Sequence, residues 1–179
     1  MADGPLSGRV PPNDLNAERA VLGGILLENE ALNVVTELPL RPGDFYKDAH
    51  NTIYEVMLAL FGAGQPVDTV TLREKLATAG QLPRVGGDEY LLSLTDTIPT
   101  VANIEAHAKI VLEKAVVRRV ITACYETAAK GFGDYGTMVE YLEEAEKSVF
   151  EVAKSRLRNS YEHINEVVLR TFEEITAAA

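Results

Sequence analysis

The sequence predicts an all-α protein: a globular helical head, then a long antiparallel helical hairpin, then a separate C-terminal helix. Three observations carry this. Apolar residues recur at intervals of three and four almost from end to end. No segment sustains the period-two alternation of a half-buried strand; Val67-Asp68-Thr69-Val70-Thr71 comes nearest, but it is short and flanked by helical stretches. One stretch, Val101 to Lys130, holds neither Pro nor Gly.

Taken in order, residues 1–12 read as a disordered leader, since Met1 to Val10 has neither the basic region nor the apolar core of a secretion signal. The head spans 13–100. Pro11-Pro12-Asn13-Asp14 supplies stiff residues and then N-cap types, and Leu15, Leu22, Ile25 and Leu26 follow at helical spacing. A short helix over Ala31 to Leu38 stops before Pro39, because the residue before a proline is pushed out of the α region. A third helix, Asp48 to Phe61, buries Ile53, Met57, Leu60 and Phe61. Asp68 or Thr69 caps a fourth with Leu72 and Leu76 inside and Gly80 as its stop. Gly86-Gly87-Asp88 opens a fifth, carrying Tyr90, Leu91 and Leu94.

The hairpin spans 101–154. A helix from Val101 to Lys130 reaches roughly 45 Å, longer than a head of this size is wide, so it is expected to project. Gly131-Phe132-Gly133-Asp134-Tyr135-Gly136 breaks it, and a second helix runs from Thr137 to about Lys154. Val117, Ile121, Cys124 and Ala128 on the first helix, and Met138, Leu142, Ala145 and Val149 on the second, have coiled-coil spacing. Folding at the glycine loop pairs 128 with 138, 124 with 142, 121 with 145 and 117 with 149, a constant antiparallel register. These eight residues form the expected seam. Val116, Val120, Ala123 and Tyr141 lie beside it and are left for water, which predicts a symmetric dimer through that surface.

Residues 155–179 form a polar, basic joint and a last helix. Its stripe Ile164, Val168, Phe172 and Ile175 needs a docking surface, because a helix this short is marginal alone. The chain reaches Ala177-Ala178-Ala179 without a Gly, Asn or Pro stop, as though a longer chain continued.

Composition narrows the function classes. Hydrophobic residues at 46% and charged residues at 25% are ordinary for a soluble globular protein, and no run nears the roughly 20 apolar residues of a membrane span. Seventeen Lys and Arg against twenty-seven Asp and Glu give a net charge of −10. Binding to phosphate backbones rests on cations displacing counterions, so little direct DNA binding is expected and protein partners are favoured. The lone Cys124 cannot form an internal disulfide, consistent with a cytoplasmic setting.

No catalytic constellation, cofactor site or metal site emerges. Gly131, Gly133 and Gly136 satisfy G-x-G-x-x-G, but a helix precedes them where the dinucleotide motif needs a strand, so they read as a helix stop. The same loop fits G-x-x-x-x-G, yet Thr137 and Met138 stand where a phosphate loop needs Lys and then Ser or Thr. His50, His107 and His163 lie apart and read as surface or boundary residues, and Cys124 as a small apolar residue on the seam. Asp44, Asp48 and Asp68 are explained by helix starts. Lys114, Arg118 and Arg119, like Lys154, Arg156 and Arg158, read as solvated or ion-paired.

Several ordered signatures resemble the N-terminal portion of the bacterial replicative hexameric DNA helicases of the DnaB family. They are Pro11-Pro12-Asn13-Asp14-Leu15-Asn16-Ala17-Glu18-Arg19-Ala20-Val21-Leu22-Gly23-Gly24, Asp44-Phe45-Tyr46 with His50 and Ile53-Tyr54, and Pro66-Val67-Asp68-Thr69-Val70-Thr71-Leu72. Gly86-Gly87 with Tyr90-Leu91 and Leu94, Pro99-Thr100 with Asn103-Ile104, and Ala145-Glu146 with Val149-Phe150 and Val152-Ala153 complete the series. Asn16 departs from the family's usual Glu, and His107 stands where Tyr is frequent.

The resemblance implies a collar and linker-helix fragment of a replicative helicase, with hairpins pairing chains into dimers and three dimers closing a collar. It implies recruitment of the C-terminal domain of a DnaG-type primase, through positions matching Tyr90, Ile121 and Thr127, the last often aliphatic in the family. It also implies contact with helicase loaders in some bacteria, and docking of the last helix on the motor domain of an adjacent subunit. The motor, with its ATP and Mg, would follow Ala179, so the fragment itself is expected not to be an enzyme. A free-standing helical adaptor or helicase inhibitor that mimics the collar is the alternative.

Overall fold

The structure is a computed structural model that describes residues 9–96 and 103–154. The 1–8 part of the expected leader, Pro99-Thr100, the basic joint and the Ile164, Val168, Phe172 and Ile175 stripe lie outside the described residues. Among the described residues every regular element is helical, as the apolar spacing predicts.

Five helices build the head: α1 (Leu15–Leu27), α2 (Ala31–Glu37), α3 (Asp48–Gly62), α4 (Thr69–Thr78) and α5 (Gly87–Asp96), with a 3-10 turn at Pro42–Asp44. The long helix α6 covers Ile104–Gly131, and α7 covers 138–154. The starts are written in the local sequence. Asp14 caps α1, its carboxylate accepting from the N–H groups of Asn16 and Ala17 at 3.1 and 3.0 Å. Asp68 caps α4 in a reciprocal box, accepting from Val70 and Thr71 while the Thr71 hydroxyl accepts from the Asp68 N–H.

These bonds, led by the Thr71 N–H, hold the Asp68 carboxyl below the usual carboxylate range. The cap is therefore present above the ordinary carboxylate pKa and lost as pH falls through the depressed one. Asp68→Ala is expected to cost about 1 kcal/mol at neutral pH, and the deficit should shrink in acid when urea midpoints are compared.

The head core is one cluster. Val21, Leu22 and Ile25 of α1 meet Leu32 and Val35 of α2, Ile53, Met57 and Leu60 of α3, Leu72 and Leu76 of α4, and Leu91 and Leu94 of α5. Helix α1 packs on α2, α3 and α5, and α4 on α3 and α5. Phe61, expected inside, is 38% exposed near the end of α3.

The head does not end at residue 100. Ile104, Ala108 and Val111 of α6 join the same core, and the compact unit runs to Arg118, with a second unit from Arg119 onward. Length alone suggested a projecting rod. The small and aliphatic residues at steps of four and three make its first turns core instead. Arg118, expected to be solvated or ion-paired, donates from Nη1 to the Pro12 carbonyl at 2.7 Å and from Nη2 to the Asp44 carbonyl, with its guanidinium 5.8 Å from the Tyr46 ring centroid. The Pro11-Pro12 entry is thus tied to the head by a cation.

Tyr54 is fully buried against Phe45, ring centroids 5.1 Å apart, and its hydroxyl has no hydrogen-bond partner among the described residues. Burial, aided by the Asp44 carboxylate, pushes its pKa up to about 12. An unfolded tyrosine ionises near 10, so between pH 10 and 12 the folded head keeps a proton that the unfolded chain has lost. Stability falls across that window by about 2–3 kcal/mol. Tyr54→Phe is expected to raise stability at pH 7 by roughly 1 kcal/mol, because an unpaired buried hydroxyl is removed. It should also flatten the alkaline loss, read by denaturation at pH 7 and pH 11.

Candidate functional site

In the head, the first of two features is a buried polar chain across three helices. Glu18 of α1 and His50 of α3 are 1% and 0% exposed. His50 Nδ1 lies 2.6 Å from Glu18 Oε2, and His50 Nε2 lies 2.6 Å from the hydroxyl of Tyr90 on α5. Glu18 also accepts from the N–H groups of Tyr46 and Lys47, at 2.6 and 3.4 Å.

Glu18 of α1 thus holds the two residues that lead into α3. Its own N-cap, Lys47, makes no side-chain cap, and Asp48, expected as a capping residue, is the first residue inside the helix. Asp44 and Asp68 do act at helix starts, Asp44 by accepting from the Arg41 N–H at 2.8 Å.

A carboxylate, an imidazole and a phenol in series resemble a proton relay, but this one is a structural lock. The imidazole is sealed from solvent, and both Glu18 oxygens accept bonds from the protein. With Nδ1–H donating to Glu18 and Nε2 accepting from the Tyr90 O–H, every polar atom of His50 is satisfied. The expectation of a surface histidine at position 50 is thereby corrected: a buried histidine is tolerated because both nitrogens have partners. His107 is half-buried and His163 lies outside the described residues.

The second feature is in the unit beginning at Arg119. The chain turns back between α6 and α7, with Thr137 and Glu140 forming a capping box at the start of α7. The Thr137 hydroxyl and N–H hold the Glu140 carboxyl below its ordinary range. The Tyr141 hydroxyl donates to the Thr127 carbonyl at 2.9 Å, and Lys130 pairs with Glu144.

The covered residues here include Ala123, Thr127 and Lys130 on α6 and Tyr141, Ala145, Ser148 and Val152 on α7, all buried or half-buried. The expected seam is therefore corrected. Val117, Ile121, Cys124, Ala128, Met138, Leu142 and Val149 are exposed, and of the eight only Ala145 is half-buried. Tyr141 reaches Thr127, where the expected register would set it opposite position 125. Of the four residues expected on the dimer surface, Ala123 is buried, Val116 and Tyr141 are half-buried and Val120 is exposed. A two-helix contact covers only a narrow strip, and here it is the one that carries Tyr141; the stripe of Ile121, Leu142 and Val149 is left out.

The glycine loop is likewise shaped by packing. A Cβ on Gly131 would lie 2.6 Å from the Tyr141 hydroxyl, so glycine there admits the tyrosine. The expected left-handed helix stop is not at Gly131 or Gly133; the positive φ of this loop is at Gly136, just before α7. Among the described residues no cluster of His, Cys, Asp and Glu fit for a metal ion occurs, and no helix is long and apolar enough to cross a membrane.

The positions matched to primase contacts fall in both units: Tyr90 half-buried in the head, Ile121 exposed and Thr127 half-buried on the hairpin. Sequence reasoning missed Glu18 and His50 as a pair. Their one local signal is a charged residue amid the apolar positions of α1.

Fold and surface features together define a class: an all-helical module with a head and a hairpin that leaves large apolar side chains exposed. The chain belongs to the DnaB-like helicase N-terminal domain family, whose model matches residues 10–113. It is 41% identical over 170 residues to the replicative DNA helicase DnaC of Bacillus subtilis (strain 168), covering 95% of this chain and 37% of that protein. It is 39% identical over 174 residues to the replicative DNA helicase DnaB of Mycobacterium leprae (strain TN), covering 96% and 29%. The chain thus spans about a third of the length of these curated relatives.

Among solved structures it is similar to the crystal structure of the N-terminal domain of DnaB helicase from Mycobacterium tuberculosis, with 41% identity and a TM-score of 0.76 over 79% of this chain and 99% of that one. It is also similar to a DnaB-like replicative helicase whose structure was determined with its interactions with primase, with 30% identity and a TM-score of 0.63 over 85% of this chain and 35% of that one. These matches favour the helicase reading over a free-standing adaptor or inhibitor.

Proposed function

We propose that this chain serves a replicative DNA helicase as its assembly and recruitment module, joining copies through the hairpin and taking up a primase. The exposed stripe carries the reading. Met138 and Leu142 on α7 are 68% and 56% exposed and Phe132 in the loop before it 95%, large apolar side chains that a monomer would leave in water. A second copy offers the same stripe by two-fold symmetry, and three such dimers closing a collar is the larger assembly consistent with it.

Recruitment of a primase, through its C-terminal domain and by way of Tyr90, Ile121 and Thr127, rests on the family and on the primase-binding neighbour. Loaders and the motor domain of an adjacent subunit are further partners in this reading. ATP hydrolysis with Mg belongs to a motor domain and not to these residues.

Sedimentation across a concentration series, with and without the primase of the same genome, tests it. The expected result is a dimer or a multiple of dimers that binds primase and hydrolyses no ATP. A monomer at the highest concentration would overturn the assembly role, and appreciable ATPase activity in the pure chain would overturn the division of labour.

A further inference from the structure

Tyr90 is held more firmly than a half-buried surface aromatic requires. Its hydroxyl bonds to His50 Nε2 at 2.6 Å, and the two rings lie within 14° of parallel with centroids 6.0 Å apart. That separation is what a head-on hydrogen bond between nearly coplanar rings produces, so the bond acts as an in-plane tether. The Lys47 ammonium sits 3.9 Å from the Tyr90 ring centroid and covers one face. Gly86, at φ +105°, makes room at the other end, since a Cβ there would lie 2.8 Å from the Tyr90 Cβ. Behind the tether, His50 is fixed by Glu18, and Glu18 by the Tyr46 N–H. A line of short bonds thus runs from a sealed carboxylate to a ring at the surface.

An aromatic ring whose rotamer is frozen before binding has already lost the entropy that docking would otherwise cost. Such rings form the energetic centres of interfaces. We infer that Glu18 and His50 are positioning residues that hold Tyr90, with Lys47 beside it, as a preorganised anchor for the primase on the head. The inference rests on the reading that Tyr90 belongs to the recruitment surface. The chemistry offered, a ring edge beside an ammonium, takes an apolar side chain flanked by a carboxylate.

The test measures binding of the primase of the same genome to the 179-residue chain by titration calorimetry. Tyr90→Ala is expected to weaken binding by 100-fold or more, through loss of the ring. Tyr90→Phe keeps the ring and cuts the tether, and should weaken binding roughly 5- to 20-fold. His50→Gln should match it, and the double variant should be no weaker than either single one, because both sever the same link. A merely structural role for His50 predicts additive losses instead, and additivity overturns the proposal.

If His50→Gln does not fold, Tyr90→Phe alone decides. Loss with Tyr90→Ala but full affinity with Tyr90→Phe overturns the positioning role and leaves the recruitment surface standing. Full affinity with Tyr90→Ala overturns the placement of Tyr90 in that surface, and no binding by the unsubstituted chain overturns the primase reading itself.

Discussion

Glu18→Ala is expected to destabilise the head by about 3–5 kcal/mol, the largest loss from any single truncation considered. The carboxylate is sealed in the core and accepts from His50 and from the Tyr46 and Lys47 N–H groups. Alanine would leave the sealed His50 Nδ1–H without an acceptor and would strip the part-covered Tyr46 and Lys47 N–H groups of theirs; a buried unpaired group costs about 1–3 kcal/mol. Glu18→Gln keeps one acceptor oxygen and should lose less. Urea denaturation followed by circular dichroism measures both, and the midpoint should fall with an unchanged slope. A loss below 1 kcal/mol for the alanine variant would mean that the network does not lock α1, α3 and α5 together.

Leu142→Glu is expected to separate the chains without unfolding them. Leu142 is 56% exposed on α7, in the middle of the outward stripe, so the monomer should lose little, within about 0.5 kcal/mol. In a symmetric interface the substitution appears twice, placing two carboxylates in an apolar contact, and self-association should weaken by at least 100-fold in sedimentation velocity. The inner strip predicts the opposite pattern. Ala123→Leu puts a large side chain at a buried position of α6 and should destabilise the hairpin by about 1–3 kcal/mol. Unfolding of the hairpin with Leu142→Glu, together with loss of association but no loss of stability with Ala123→Leu, would restore the seam first expected from spacing.

That contrast shows where the sequence was legible and where it was not. Helix starts are local chemistry: Asp14 and Asp68 are N-caps within reach of the N–H groups two and three residues on, and the structure uses both. The core of the head follows from the same three-and-four spacing, and Leu22, Ile25, Ile53, Met57, Leu72 and Leu76 are all buried. The family signatures along the chain were equally readable, and the family match over residues 10–113 spans all of them but the last, at Ala145 to Ala153.

The lock was hidden because its members stand 32 and 40 residues apart. Nothing local to His50 reveals that a carboxylate will meet one nitrogen and a phenol the other. Arg118 misled for the same reason, its carbonyl partners lying 106 and 74 residues away.

By itself the sequence determined that this chain is helical, where most of its helices begin, and that two apolar stripes run along its last described helices. Only the tertiary structure decided which stripe turns inward and where the head ends along α6. Side-chain periodicity fixes a direction around one helix axis and carries no information about what stands opposite. The turn that brings the Tyr141 hydroxyl to the Thr127 carbonyl covers Ala123 and Ala145 and leaves Ile121, Leu142 and Val149 exposed.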